Sequence, residues 1–393
     1  MTLATTQQAL DFYRFDDLLT DEERALRDRL RAFGEAEIVP IINDYWERGA
    51  FPFELIPKLA ELRICGATIK GYDCPGMSGV EAGLASMEMA RADASINTFL
   101  GVTSGLCMQS IYLLGSEEQR QRWLPRLARM EAIGAFGLTE PEIGSDAAHV
   151  HTTARRVGDR YLLNGAKRWI GNASFADVVV IWARDEESGQ VGGFLVEKGT
   201  PGFEARIIEG KIAKRAVLNA DITLTNCAVP EGNRLPGARS FRDTAKVLKA
   251  TRINVAWEAV GHATAAFDYA HQYALQREQF GRPIAGFQLI QQKLVQMLAD
   301  VTQMQLLVWR GSKLADAGQL TEGQASLAKQ TCAAKARQVV ALAREIMGGN
   351  GILLENHVAR HFADMEAVYT YEGSNEINTL VVGREITGLG AFV

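Results

Sequence analysis

The hydrophobic rhythm of this chain changes twice, and that change constrains the fold more than any other feature. From about residue 20 to 133 apolar residues recur at helical spacing; from about 134 to 245 they fall in short β-branched and aromatic runs between turn residues; from about 246 onward helical spacing returns in long stretches. A chain of 393 residues has room for two or three domains of roughly 150 residues each. The rhythm predicts three: a helical domain over 1–133, a β domain over 134–245 and a second helical domain over 246–393. The fold class is mainly α with a central β domain.

Local signals agree with this order. Thr20 with Glu23, Ser116 with Gln119 and Thr321 with Gln324 have the capping-box spacing that starts helices. Ile56, Leu59, Leu62 and Ile64 approximate a helical face, which Pro75-Gly76 then interrupts in the loop Gly71 to Gly79. In the middle region, Tyr161-Leu162-Leu163 leads into Asn164-Gly165, which predicts a hairpin turn there. Val178 to Trp182 and Phe194-Leu195-Val196 read as strands, and Ala220 to Leu224 alternates. The run Ile284 to Ala315 has three- and four-residue apolar spacing, the mark of a long helix.

Charge and cysteine usage narrow the function class. Lys plus Arg number 42 against 47 Asp plus Glu, a net charge of -5 with both signs interspersed. The densest basic stretch, Arg24 to Arg31, contains an acid and reads as a solvated helix face, so nucleic-acid binding is not expected. Five cysteines, widely spaced and without a C-x-x-C pair, fit free thiols in a reducing compartment. The first residues lack an apolar signal region, Ala391-Phe392-Val393 is not a peroxisomal address, and no run approaches a membrane span. The expected location is cytoplasmic.

Few motifs carry chemistry on their face. Gly348-Gly349-Asn350-Gly351 lacks the last glycine of a dinucleotide fingerprint, Leu354 standing in its place. It reads as a helix terminator or as a turn that lets backbone approach a cofactor phosphate. His357 and His361 have the spacing of a zinc-protease pair but no intervening glutamate at the required place, and no metal site is expected. The remaining histidines form no nucleophilic triad pattern. Two segments read either as loop structure or as site. Phe136 to Asp146 (FGLTEPEIGSD) offers turn N–H groups and hydroxyls to an anion or a flavin edge; Tyr369 to Asn378 (YTYEGSNEIN) places Glu372 where apolar surroundings would raise its pKa and make it a base for a weak carbon acid.

Together with Lys167 to Asn172 (KRWIGN), Gln276 to Gly281 (QREQFG), Gln288 and Met347 to Gly351, these segments resemble the acyl-CoA dehydrogenase family of flavoproteins, in order from about residue 20 to 392. The resemblance implies an N-terminal helical domain, a middle β-barrel-like domain, a C-terminal four-helix bundle, bound FAD and an acyl-CoA substrate. It also implies an electron-transfer flavoprotein as acceptor and a homotetramer built as a dimer of dimers. By the same resemblance Glu372 is the catalytic base. Phe136, Leu138, Thr139, Gly144 and Ser145, with Trp169, Ile170 and Gly171, correspond to the flavin-ring wall, and Ser374 and Glu376 to further flavin contacts. Arg277, Phe280 and Gln288, with Glu345, Met347, Gly348 and Gly349, correspond to the diphosphate and adenosine side, reaching a neighbouring subunit's FAD. Asn97, Ser145, Arg252, Gly373 and Phe392 correspond to acyl-CoA contacts.

Some family members carry the base at the position held here by Thr251, which cannot serve, leaving Glu372. Gly171 and Ser374 each replace a threonine common in the family. Within the family the chain looks most like glutaryl-CoA dehydrogenases and plant-type short-chain acyl-CoA oxidases. The glutaryl branch is expected to hold an arginine for the distal carboxylate where this chain has Asn97. A neutral amide cannot form the bidentate pair with a carboxylate. The expected reaction is therefore dehydrogenation of a short, uncharged acyl-CoA to the trans-2-enoyl-CoA, with decarboxylating glutaryl-CoA dehydrogenation and O₂-dependent oxidation as the alternatives.

Overall fold

The computed structural model describes residues 9–391. The N-terminal part is a set of short helices: α1 (Asp21–Phe33), α2 (Val39–Arg48), α3 (Leu55–Glu61), α4 (Gly79–Ala92), α5 (Ala94–Gly101), α6 (Gln109–Leu114) and α7 (Glu117–Ala128). The capping boxes read from the sequence start α1 and α7, and a further one, Ser78 with Glu81, starts α4. Reciprocal bonds of this kind satisfy two otherwise orphaned N–H groups at each helix start. Leu30, Ile38, Ile42, Leu59, Phe99 and Ile111 form the fully buried centre of this part.

A sheet follows, made of β1 (Gly134–Gly137), β2 (Thr153–Val157), β3 (Arg160–Gly171), β4 (Val178–Asp185), β5 (Val191–Glu197), β6 (Phe203–Ile207) and β7 (Asn219–Pro230). Its order is β1-β4-β2-β3-β7-β6, with β5 on the other edge of β4. β1 and β2 run parallel to β4 and pair with successive parts of it, while the remaining pairs are antiparallel. β4 is central, and its residues Val178 to Ala183 are buried on both faces. That explains its unbroken apolar run, where a half-exposed strand would alternate.

The turn expected at Asn164-Gly165 is not there. β3 runs straight through both residues, and the reversal between β2 and β3 falls at Gly158-Asp159. Gly165 instead sits at a register shift opposite β7, with φ 146° and an added Cβ only 2.6 Å from Thr152 Oγ1. The dipeptide marks a bulge, where a glycine serves backbone geometry and close approach just as well as in a turn.

The C-terminal part contains α8 (Phe241–Gln276), α9 (Gln288–Asp316), α10 (Glu322–Ile346), α11 (Val358–Thr370) and α12 (Asn375–Thr387). Thr321 and Gln324 cap α10 as expected. At 36 residues α8 is the spine of the molecule, packing on α4, α9 and α10. Its contact with α4 is close because Gly83 has no side chain: a Cβ there would lie 2.1 Å from Trp257 Nε1. The five cysteines are unpaired, four of them buried. Among the described residues no helix is long and apolar enough to cross a membrane.

Candidate active site

Glu372 lies between the end of α11 and the start of α12. It has φ 54° and is followed by Gly373 at φ 83°, so two successive residues adopt the left-handed region. A non-glycine residue there is uncommon and must be held by its surroundings. Two side chains hold it. Lys329 of α10, 0% exposed, donates to the carbonyls of Tyr369 at 3.1 Å and Gly373 at 2.9 Å. Asn378 of α12 donates through Nδ2 toward the carbonyls of Glu372, Gly373 and Ser374 at 3.4, 2.8 and 3.2 Å. Ser374 caps α12 by accepting from the Ile377 N–H.

The Glu372 carboxylate meets Thr251, whose Oγ1 lies 3.0 Å from Oε2. Thr251 and Glu372 thus face each other, one from α8 and one from the α11–α12 turn. Desolvation raises the Glu372 pKa above the usual carboxylate range, against the opposing pull of the Thr251 hydroxyl and the charges of Arg252 and Lys329. Arg252 is buried and donates to Glu322 Oε1 and Ser326 Oγ. Burial lowers the Lys329 pKa to about 8. Asn97 is buried on α5, one residue before Thr98.

The second group of residues is in the sheet. Phe136 lies in β1 and packs on Trp182, and Leu138, just past the strand, is buried. The loop after them leaves Thr139 half-buried and Gly144 and Ser145 exposed. A buried ion pair shapes this loop: Lys167 donates to Glu140 at 2.8 Å and to the Leu138 carbonyl at 3.1 Å, while Glu140 also accepts from the His151 and Thr152 N–H groups. A second bulge in β3, between Lys167 and Ile170, gives Trp169 φ 67° and turns its ring outward, 51% exposed. Bulges often re-aim a side chain beside a site in this way. Ile170 and Gly171 are buried. The absent threonine at 171 has a local reason: a Cβ there would come 3.1 Å from Val102 Cγ2.

The remaining residues singled out by the resemblance are elsewhere. Arg277, Phe280 and Gln288 are exposed around the hairpin Glu278–Gln279/Arg282–Pro283 that joins α8 to α9, Phe280 being 94% exposed. Thr251 lies in the first third of α8 and Arg277 just past its C-terminal end, roughly 39 Å apart along the helix axis. Glu345 is exposed and paired with Lys293 at 2.7 Å; Met347 is buried, and Gly348 and Gly349 have open space where a side chain would be. Gly348 to Ile352 form a 3₁₀ segment terminating α10. A cavity of about 520 Å³ opens next to it, lined by Arg344, Glu345, Gly351 and Ile352 among others. Glu376 is exposed on the first turn of α12. Phe392 lies outside the described residues.

The paired-histidine spacing has a structural origin. His357 precedes α11 with φ 60° and stacks on Tyr269, while His361 is fully buried with its Nδ1 3.0 Å from that of His262. Lys329 and Lys214 escape the sequence reading, and so does the bonding of Lys167, which reads from the sequence only as part of the KRWIGN segment. No local sequence signal marks the buried bonds these lysines make.

The acyl-CoA dehydrogenase N-terminal domain description matches residues 20–131, the middle domain description 135–227 and the C-terminal domain description 241–387. The chain belongs to the acyl-CoA dehydrogenase family, FAD-dependent oxidoreductases. It is 33% identical over 374 residues to the mitochondrial short-chain specific acyl-CoA dehydrogenase of Mus musculus, covering 94% of this chain and 90% of that one. A glutaryl-CoA dehydrogenase structure from Mycobacterium smegmatis is 41% identical with TM-score 0.96, covering 98% of this chain and 99% of that one. Another from the same organism, in complex with FADH2, is 36% identical with TM-score 0.96 and the same coverage. An outward tryptophan face, a loop bearing hydroxyls and side-chain-free glycines are fit partners for a flat ring and a diphosphate.

Proposed function

We propose that this enzyme removes two hydrogens from a short-chain acyl-CoA to give the trans-2-enoyl-CoA, with Glu372 as base and an electron-transfer flavoprotein as electron acceptor. The carrying observation is the Glu372 carboxylate: braced in a left-handed turn, bonded to Thr251, and raised in pKa by loss of water. The α-proton passes to a Glu372 oxygen. Bound FAD supplies the acceptor for the β-hydrogen, which leaves as hydride while the Cα–Cβ double bond forms. A base whose pKa is raised toward the operating pH is the efficient kind, worth about 10²–10⁴-fold.

The same turn provides for the thioester oxygen. Its carbonyls are taken up by Lys329 and Asn378, whereas the Glu372 N–H makes no backbone hydrogen bond among the described residues. That N–H is the donor for the developing enolate oxygen, a contribution of about 3–4 kcal/mol. Phe136, Leu138, Thr139, Gly144, Ser145, Trp169, Ile170, Gly171, Ser374 and Glu376 hold the flavin ring side. Arg277, Phe280, Gln288 and the end of α10 hold the diphosphate and adenosine side of a neighbouring subunit's FAD. Their exposure in the single chain and their separation from Thr251 support this division. Asn97, Arg252, Ser145 and Gly373 contact the acyl-CoA.

Glu372→Gln is the test. The variant should retain FAD and bind ligand but lose bleaching of the flavin by butyryl-CoA; bleaching at the normal rate refutes the assignment. Decarboxylating glutaryl-CoA dehydrogenation is the second reading, favoured by the 41% identity to a glutaryl-CoA dehydrogenase. Release of CO₂ from glutaryl-CoA would establish it in place of the first.

A further inference from the structure

A buried polar cluster sits deeper along α8, and neither the base nor the flavin wall uses it. Lys214, between β6 and β7, sends its ammonium to Thr98 Oγ1 at 2.6 Å, to Glu258 Oε1 and to the Tyr371 hydroxyl. The Tyr371 hydroxyl donates to Glu258 Oε2 at 2.7 Å. Lys214 and Glu258 are each 3% exposed. An ammonium has three N–H donors, so here each one is committed and the ion pair is neutral as a whole.

Its position follows from the site. Glu258 comes seven residues after Thr251 on α8, nearly the same helical face and roughly 10 Å further along the axis. Tyr371 adjoins Glu372, and Thr98 follows Asn97. The CoA moiety is too large and charged to enter the protein, so an acyl group with its α-carbon at Glu372 points inward. Along α8 the inward direction is the one where residues from Ala256 to Asp268 are continuously buried. The acyl chain therefore advances toward Glu258.

We propose that Lys214, Glu258, Tyr371 and Thr98 form the closed end of the acyl pocket and restrict the substrate to short, uncharged acyl groups. This rests on the dehydrogenation reading only for the role of Glu372 in orienting the thioester. A long hydrocarbon would have to push apart two buried opposite charges. A distal carboxylate would meet an ammonium with no N–H to offer and a glutamate of its own sign.

The test uses S-alkyl-CoA thioethers, which lack the carbonyl that acidifies the α-proton and so cannot react; calorimetry reads their binding to the FAD-loaded enzyme. S-butyl-CoA is expected to bind at least tenfold more tightly than S-octyl-CoA or S-(3-carboxypropyl)-CoA. The Lys214→Met/Glu258→Leu double variant should raise the octyl-to-butyl affinity ratio at least tenfold. Thr98→Val keeps both charges and frees one ammonium N–H, and it should raise the carboxypropyl-to-butyl ratio severalfold. Equal binding of octyl and butyl thioethers by the wild type, or ratios unmoved in folded variants, overturns the proposal. Because no turnover is needed, a failure of butyryl-CoA to bleach the flavin would sink the dehydrogenation reading and leave these ratios readable.

Discussion

Replacing Lys329 by methionine separates positioning from folding. The lysine donates two charge-assisted hydrogen bonds, to the carbonyls of Tyr369 and Gly373 on either side of Glu372. Bonds of this type are worth about 1.5–3 kcal/mol each. Against them stands the burial cost of the ammonium: the fall of its pKa from 10.5 to about 8 corresponds to roughly 3 kcal/mol. The two nearly offset, so Lys329→Met should lose at most about 3 kcal/mol of stability. Catalysis should fall as well, because a base displaced by about an ångström costs on the order of 100-fold. The variant also removes a positive neighbour of Glu372, so the Glu372 pKa rises further and the acid limb of the kcat/KM profile moves to higher pH. Stability adds an independent sign. Between pH 8 and 10.5 the folded chain has released the Lys329 proton while the unfolded chain still holds it, so stability rises with pH across that window, and the methionine variant lacks that rise. Steady-state kinetics with butyryl-CoA across pH, beside melting temperatures over the same range, measure both. A variant with near-normal kcat/KM and an unmoved acid limb would refute the reasoning.

Gly171→Thr should destabilise the enzyme by about 1–3 kcal/mol, because its Cβ meets Val102 at 3.1 Å, and Val102→Ala in the same chain should recover most of the loss in a thermal melt. Lys167→Met strands the buried Glu140 carboxylate and should cost about 3–5 kcal/mol with reduced flavin content by absorbance, whereas Lys167→Met with Glu140→Gln should lose less. Arg277→Ala should weaken FAD retention. Refolding it together with Glu372→Gln chains should restore part of the activity, since an intact base and an intact arginine then meet in one site from different chains; no recovery would place Arg277 within its own chain's site.

How much was legible depended on whether a signal was local. Helix starts at Thr20, Ser116 and Thr321 were readable because capping is decided within four residues. The β4 core run was readable for the same reason. Asn164-Gly165 misled because the dipeptide encodes a backbone conformation, and only the pairing with β7 turns that conformation into a bulge. His357 and His361 read as structural, and the helix that begins at Val358 leaves His357 just outside it. In the site, the Glu372 and Trp169 segments were recognisable as motifs, yet what braces them was not. Lys329 lies 43 positions from Glu372, and Lys214 lies 157 from Tyr371; no rule of local spacing connects such partners.

The Lys214 ammonium draws one partner from the N-terminal helices and two from the C-terminal ones while itself belonging to the strand-rich region. Detaching the strand-rich part or the C-terminal helices separates Lys214 from Glu258, and detaching the N-terminal helices removes the Thr98 hydroxyl that takes one of its three N–H groups. Partial melting is thereby penalised, and heat should take the whole polypeptide apart in one calorimetric transition instead of region by region.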